Sequence, residues 1–377
     1  MTTRPSAAVV VGLGASGVAA ATLLARDGWR VTVNDRATEW EVDASLGRLP
    51  DGTAAVLGCH PATLLDGTAL VVVSPGVPWD LPMLVEARRR RIEVIAEVEL
   101  AVRSMPGVPI VGVTGSNGKT TVTSLLGDIA RTAGWRTGVG GNIGPAACEL
   151  ALAGGWDAVV LELSSFQLEG CATLRPKVAV LLNLSPDHLD RHPSVASYLA
   201  AKTRVFARQK RNDFAVLNAD DPACSELSVP SRAVRFSLAD AGAQAHLAAG
   251  SLVLDGEPLL PRTELPLLGE HNAANALAAA LAASRLGIGR APIAQALRSF
   301  QALPHRHQVV AQAGGVRWVD DSKGTNIGAT KAGLSGYALG TVHLILGGLG
   351  KGQDFRELRP AAEHRLARIY LIGEAAD

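Results

Sequence analysis

Short apolar runs alternate with amphipathic stretches from one end of the chain to the other. That alternation predicts parallel sheets covered by helices. Strands are expected at 7–12, 30–34, 70–74, 92–95, 110–114, 158–163, 178–184, 215–218, 316–320, 342–346 and 369–372. Two breaks divide the pattern, one at SMPGV near 104–108 and one near 303–305. They give expected domains at 1–104, 105–303 and 304–377. Within the second, 233–260 reads as a small β excursion, AVRFS followed by SLVLDGEPLL, in which Asp255-Gly256 offers a hairpin turn. No internal repeat or low-complexity tract interrupts this reading.

The composition narrows the class. At 377 residues the chain has room for two or three domains. A net charge of +1 gives no footprint for nucleic acid. The scattered cysteines Cys59, Cys148, Cys171 and Cys224 suit a reducing compartment, and a cytoplasmic location is expected. The opening MTTRPSAAVVVGLGASG resembles a short signal peptide, but its apolar run leads straight into a glycine fingerprint and reads better as a first buried strand. No run approaches the roughly 18 apolar residues of a membrane span, so no membrane partner is expected. Nothing demands more than a monomer.

The first glycine loop is Gly12-Leu-Gly14-Ala15-Ser16-Gly17, between a strand and a helix, with Asp35 ending the next strand. Glycines there let backbone approach a pyrophosphate at a positive helix N-terminus, and a carboxylate then meets a ribose or base. Alone, the motif also supports an NAD-dependent oxidoreductase. Ser74-Pro75-Gly76-Val77-Pro78 forms a rigid turn on the same carboxyl edge, placed to close over a ligand.

The second loop almost spells a Walker A sequence. In GVTGSNGKTT the leading Gly112 sits one position early and Val113 stands where the first glycine belongs. The strand–loop–helix context is nevertheless right. Backbone N–H groups of Gly115, Ser116, Asn117 and Gly118 would cradle phosphates, Lys119 would reach the terminal ones, and Thr120 would ligate Mg²⁺. Glu162 ends the apolar run AVVLEL, where an acid is costly unless it binds metal or is paired. The following strand ends in Ser185-Pro-Asp187-His188-Leu-Asp190-Arg191-His192. His188 is the better metal ligand of that cluster, while Asp190 and His192 read as solvated loop. Lys202 falls on the apolar stripe of the next helix, four after Tyr198. It either snorkels to the surface or faces inward. An inward neutral amine near metal could take up CO₂ as a carbamate, a carboxylate-like ligand.

Taken together and in this order, GLGASG, SPGVP, TGSNGKTT, GNIG, LELSSFQLE, NLSPDHLDRH, GEHNAANALAA, LPHRHQ, DSKGTN and GGLGKGQDF resemble the Mur ligases from about residue 9 to 355. The resemblance implies an α/β protein of three domains. These are an N-terminal Rossmann-like sheet for a UDP substrate, a central P-loop ATPase-like sheet with the β excursion, and a C-terminal Rossmann-like domain. It implies small-molecule substrates: ATP, UDP-N-acetylmuramoyl-L-alanine and D-glutamate, joined through an acyl phosphate. It implies two Mg²⁺, held by Thr120, Glu162, His188 and a carbamylated Lys202, with Lys119, His188 and Lys202 as the catalytic set. Thr121 joins the ATP loop, Asn272 and Asn275 flank the adenine, His305 and Arg306 lie near base and ribose, and Asp321 orients the ribose. Gly14, Ala15, Ser16, Asp35, Arg36, Ser74, Pro75 and Gly76 face the UDP moiety, and Asn142 contacts the muramoyl group. Lys323, Thr325 and Lys351 sit near D-glutamate. The family's C-terminal domain usually continues beyond the strand at 369–372, so the expectation is a fragment or shortened form with a partial third domain. A sister ligase, an NAD-dependent oxidoreductase and a non-catalytic nucleotide-binding module are the alternatives.

Overall fold

A computed structural model describes residues 6–185, 191–192, 194–350 and 353–375. They fall into two compact units. The first takes the chain up to Thr114, then Trp135–Ala179 and Ala200–Asp213; the second takes Gly115–Gly134, Val180–Leu199 and Phe214 onward.

In the first unit, β1 (Ala7–Val11), β2 (Arg30–Asp35), β3 (Ala54–Leu57), β4 (Thr68–Val73) and β5 (Glu93–Ala96) form a parallel sheet in the order β3-β2-β1-β4-β5. The apolar runs VVV of β1 and LVVV of β4 are buried, as strands covered on both faces require. Strand order reverses between β1 and β4, the point where such sheets open a crevice at their carboxyl ends. Both the first glycine loop and the Ser74 turn leave the sheet there. The same unit holds β6 (Ile110–Thr114), β7 (Thr137–Gly141) and β8 (Ala158–Glu162), parallel neighbours in the order β7-β8-β6.

Two contacts tie these strand groups together. The Trp79 indole N–H donates to the Phe166 carbonyl at 2.9 Å, and Ala96 N–H donates to Gly170 O at 3.0 Å. Gly170 lies so close to the Trp79 ring that any Cβ there would overlap it. Glu97, 1% exposed, accepts a bond from the Cys148 N–H at 2.6 Å across to the helix Ala147–Ala153.

The second unit contains β9 (Val178–Leu181, its second half), β10 (Phe214–Asn218), β11 (Arg232–Ser237), β12 (Ala245–Ala248), β13 (Ser251–Leu254) and β14 (Glu257–Pro261), neighbours in chain order. The expected β excursion is β11 to β14. Asp255 and Gly256, with φ of +51° and +81°, make the turn of an antiparallel hairpin. The helix Lys119–Thr132 packs against Glu270–Leu286 and Arg290–Ser299. Further on, β15 (Gln308–Ala313) and β16 (Val316–Asp320) form an antiparallel pair, and β17 (Val342–Gly347) and β18 (Leu366–Ile372) a parallel one. Ile327, Leu334, Leu358 and Ala362 form a small core beside the latter.

The α/β class with parallel sheets is as expected. The strand expected over 178–184 stops at Leu181, because the residues after it bond a neighbouring loop instead. Strands β3, β7 and β15 were not expected. No helix among the described residues is long and apolar enough to cross a membrane.

Candidate active site

The second glycine loop begins only after Thr114, since Val113 is a fully buried β6 residue. That is why the first Walker glycine has no counterpart. Gly115 and Gly118 carry the turn, with φ of +146° and +83°. Ser116 N–H donates to Asn183 O at 3.0 Å, and Asn117 N–H donates to Asn183 Oδ1 at 2.9 Å. The Ser116 hydroxyl donates to Ser185 O and accepts from Ser185 N–H, both at 2.9 Å. Lys119 Nζ reaches back to the carbonyls of Gly115 and Ser116, each at 2.8 Å, which holds its ammonium over the loop.

Several later residues converge on this loop. Arg306 donates to the Thr120 hydroxyl at 2.6 Å, and Asn326 donates to Asn117 Oδ1 at 3.1 Å. Asn275 Oδ1 sits where a Cβ of residue 118 would be, so only glycine fits. Asn275 and Asn272 are buried and bonded to each other at 3.2 Å; Thr121 is buried as well. Thus Asn275, Arg306 and, through Asn275, Asn272 meet the loop Gly115 to Thr120. Asp321 lies one step further out, its Oδ1 accepting from His307 N–H at 3.0 Å. His305 is exposed and paired with Asp320 at 2.7 Å. Lys323 and Thr325 are exposed. His192 departs from the solvated-loop expectation: it is buried, its ring 5.2 Å from that of Tyr198. The physical reason is its packing against Tyr198, itself 1% exposed.

The first unit holds the other expected residues. Glu162 ends β8 at 2% exposure, and Asn142 donates to its Oε1 at 2.8 Å. Lys202 is 1% exposed, so of the two readings the inward one holds. At the N-terminal sheet, Gly14 and Ala15 are exposed at the start of the helix Ala15–Arg26, whose N-cap carries no side-chain bond. Free N–H groups at a helix N-terminus suit a diphosphate. Asp35 turns both oxygens to backbone, accepting from Leu13 N–H at 2.6 Å and Ala37 N–H at 2.9 Å. It therefore shapes the loop. Ser74 is buried and donates to Gly12 O at 2.9 Å, while Ser16, Arg36, Pro75 and Gly76 are at least partly open to solvent.

His188, Asp187, Asp190 and Lys351 lie outside the described residues. Among the described residues no three His, Cys, Asp or Glu side chains cluster to hold a metal. Sequence reasoning missed Asn183, Asn326, His307 and Tyr337, and took Ser185 only as part of the polar cluster after the strand. The only signal for Asn183 was its place as the first polar residue after a buried strand.

Comparison with known proteins decides the family. The profile for the Mur ligase middle domain matches residues 113–283, and that for the MurD-like N-terminal domain matches 6–96. UDP-N-acetylmuramoylalanine–D-glutamate ligase of Acidobacterium capsulatum is 44% identical, over 98% of this chain and 82% of its own length. The enzyme of the same name from Anaeromyxobacter dehalogenans is 45% identical, over 97% and 83%. The chain belongs to the Mur ligase family. Solved Mur ligases share the fold at lower identity. MurC of Thermotoga maritima superposes with a TM-score of 0.60 at 21% identity, over 98% of this chain and 85% of that one. MurF of Acinetobacter baumannii gives 0.63 at 18%, over 98% and 79%. As a Mur ligase the chain is an ATP-dependent amide-bond-forming enzyme, and the loop at Gly115 lies within the matched middle domain.

Proposed function

We propose that this Mur ligase adds D-glutamate to UDP-N-acetylmuramoyl-L-alanine in the assembly of peptidoglycan precursors. The observation that carries the reading is the loop 115–120, backed by Asn275 and engaged by Arg306, in a chain 44% identical to a ligase of that name. In the reaction, the alanyl carboxylate oxygen attacks the γ-phosphorus of ATP and ADP leaves. The amine of D-glutamate then attacks the acyl carbon, phosphate leaves, and the nitrogen loses its proton.

Lys119 and the loop N–H groups other than those of Ser116 and Asn117, which are given to Asn183, hold the phosphates; Arg306 and Asp321 hold the nucleotide from the C-terminal side. The N-terminal loop and the Ser74 turn take the UDP moiety, and Asn142 the muramoyl group. Lys323, Thr325 and Lys351 take D-glutamate. Thr120, Glu162, His188 and Lys202 are the proposed magnesium ligands. A hydroxyl, a carboxylate, an imidazole and a carbamate make an oxygen-rich set that suits magnesium. Glu162 and Lys202 are both buried, as side chains that face a bound ion rather than solvent would be. Two bound Mg²⁺ would supply neutralisation of charge on the phosphates and the carboxylate. The protein works as a cytoplasmic monomer in this reading.

The test is phosphate release on mixing the chain with ATP, UDP-N-acetylmuramoyl-L-alanine and a panel of amino acids. Release that needs both the muramoyl substrate and D-glutamate is expected. Release with L-lysine or diaminopimelate in place of D-glutamate would move the chain to a sister activity.

A further inference from the structure

Arg306 stands between two histidines that share an uncommon backbone. φ is +64° at His305 and +51° at His307, the left-handed region that costs any residue with a Cβ. Each is tied to one of two adjacent aspartates. His305 Nδ1 lies 2.7 Å from Asp320 Oδ2, and His307 N–H donates to Asp321 Oδ1. His307 is buried, with Nε2 3.0 Å from the Tyr337 hydroxyl and its ring edge-on to His271 at 5.4 Å. His271 in turn bonds Ala332 O at 3.1 Å, and burial lowers its imidazole to about 4, so it is neutral at pH 7. Between these anchors the Arg306 side chain meets Thr120 at the phosphate loop.

Strain of this kind persists only where its surroundings over-determine it. Here the over-determination converges on one outcome, the direction of Arg306 and the seating of Asp321. The His307 Nδ1 has no hydrogen-bond partner among the described residues and faces Asp321 Oδ2 at 3.7 Å. It can therefore restrain the carboxylate without occupying it.

We propose that His307 and Tyr337 are positioning residues for the nucleotide: they hold the turn His305-Arg306-His307 so that Arg306 stays on the phosphate loop and Asp321 stays free on one oxygen. This rests on the reading of the loop as the ATP site. Neither side chain touches the phosphate loop itself in any bond described above; both act through their neighbours.

The experiment uses the full chain with Tyr337→Phe, which removes one hydroxyl, and His307→Asn, which tolerates the left-handed backbone. The KM for ATP should rise about five- to tenfold in each, as expected for loss of a binding contribution, with kcat within about twofold. The KM for the muramoyl substrate should not move. An ATP KM within twofold of wild type in a folded Tyr337→Phe protein overturns the proposal. Equal rises for both substrates with a lowered melting temperature overturn it too, because they mark a purely structural role. Failure of the ATP reading itself looks different: wild type would then show no ATP binding by calorimetry.

Discussion

Lys202 is the residue whose environment asks most of its chemistry. It is 1% exposed, on the helix Val195–Thr203 and one turn after the buried Tyr198. An ammonium buried there is costly, whereas a carbamate would bring the negative charge that a metal ligand needs. Lys202→Ala should lose about 10²-fold or more in turnover. Part of the loss should return on adding a small carboxylic acid, and ¹³CO₂ label present in wild type should be absent in the variant by NMR. Lys202→Arg should stay inactive under the same addition, since a guanidinium cannot be carboxylated and remains positive. Full activity of Lys202→Arg would end the carbamate assignment. The burial was legible in the sequence, because Lys202 repeats at helical spacing from Tyr198. The partners of the ATP loop were not. Asn326 carries no local signal, and Asn183 only its place after a buried strand, since each acts on a loop about 65 or 210 residues away in sequence, and only the fold brings them there.

At the level of elements, the 115–120 loop is a turn with no room for a side chain at residue 118. Gly118→Ala adds a Cβ at φ +83° and drives it into Asn275 Oδ1. We expect a loss of about 1–3 kcal/mol in stability, measured by urea unfolding, and weaker ATP binding by calorimetry. Asn275→Ala would relieve the overlap in the double variant, so the two changes should be non-additive. Legibility here followed composition. Strands rich in Val, Ile and Leu, such as β1, β4, β6 and β8, were placed within a residue or two. β7 was missed because Thr137–Gly141 has three glycines and one branched apolar residue. β3 is only four residues and half exposed, and β15 is exposed along most of its length, so neither shows the burial pattern that marks a strand. The overlong expectation at 178–184 failed for a different reason: past Leu181 the polar groups leave the ladder, Asn183 bonding the 115–120 loop, Leu184 N–H donating to Asp221 Oδ2 and Leu182 O accepting from Asn218.

For the molecule as a whole, one buried acid sets a dependence on pH. Burial lifts the Glu97 carboxyl to about 7, against its ordinary 4.5, despite the bond from Cys148 N–H. Its second oxygen has no partner among the described residues. Between about pH 4.5 and 7 the folded protein keeps a proton that the unfolded chain has released, so stability falls as pH rises through that window and levels off above it. The span is about 3 kcal/mol at most. Glu97→Gln should flatten this slope, and unfolding free energies at pH 5, 6, 7 and 8 would show it. A wild-type slope unchanged by the substitution would assign the effect elsewhere. The expected domain limits at 104 and 303 come from loop composition, and each of the two compact units draws on three chain segments. Linear breaks in a sequence do not report such interleaving.

The fit between Gly118 and Asn275 also bears on how the protein is made. The loop is translated early, but its backing helix, Glu270–Leu286, emerges well over a hundred residues later. A nascent chain that has only its first half outside the ribosome carries the ATP motif without the asparagine behind it. If the loop is the ATP site, as proposed, its backing is completed only when that helix has been made.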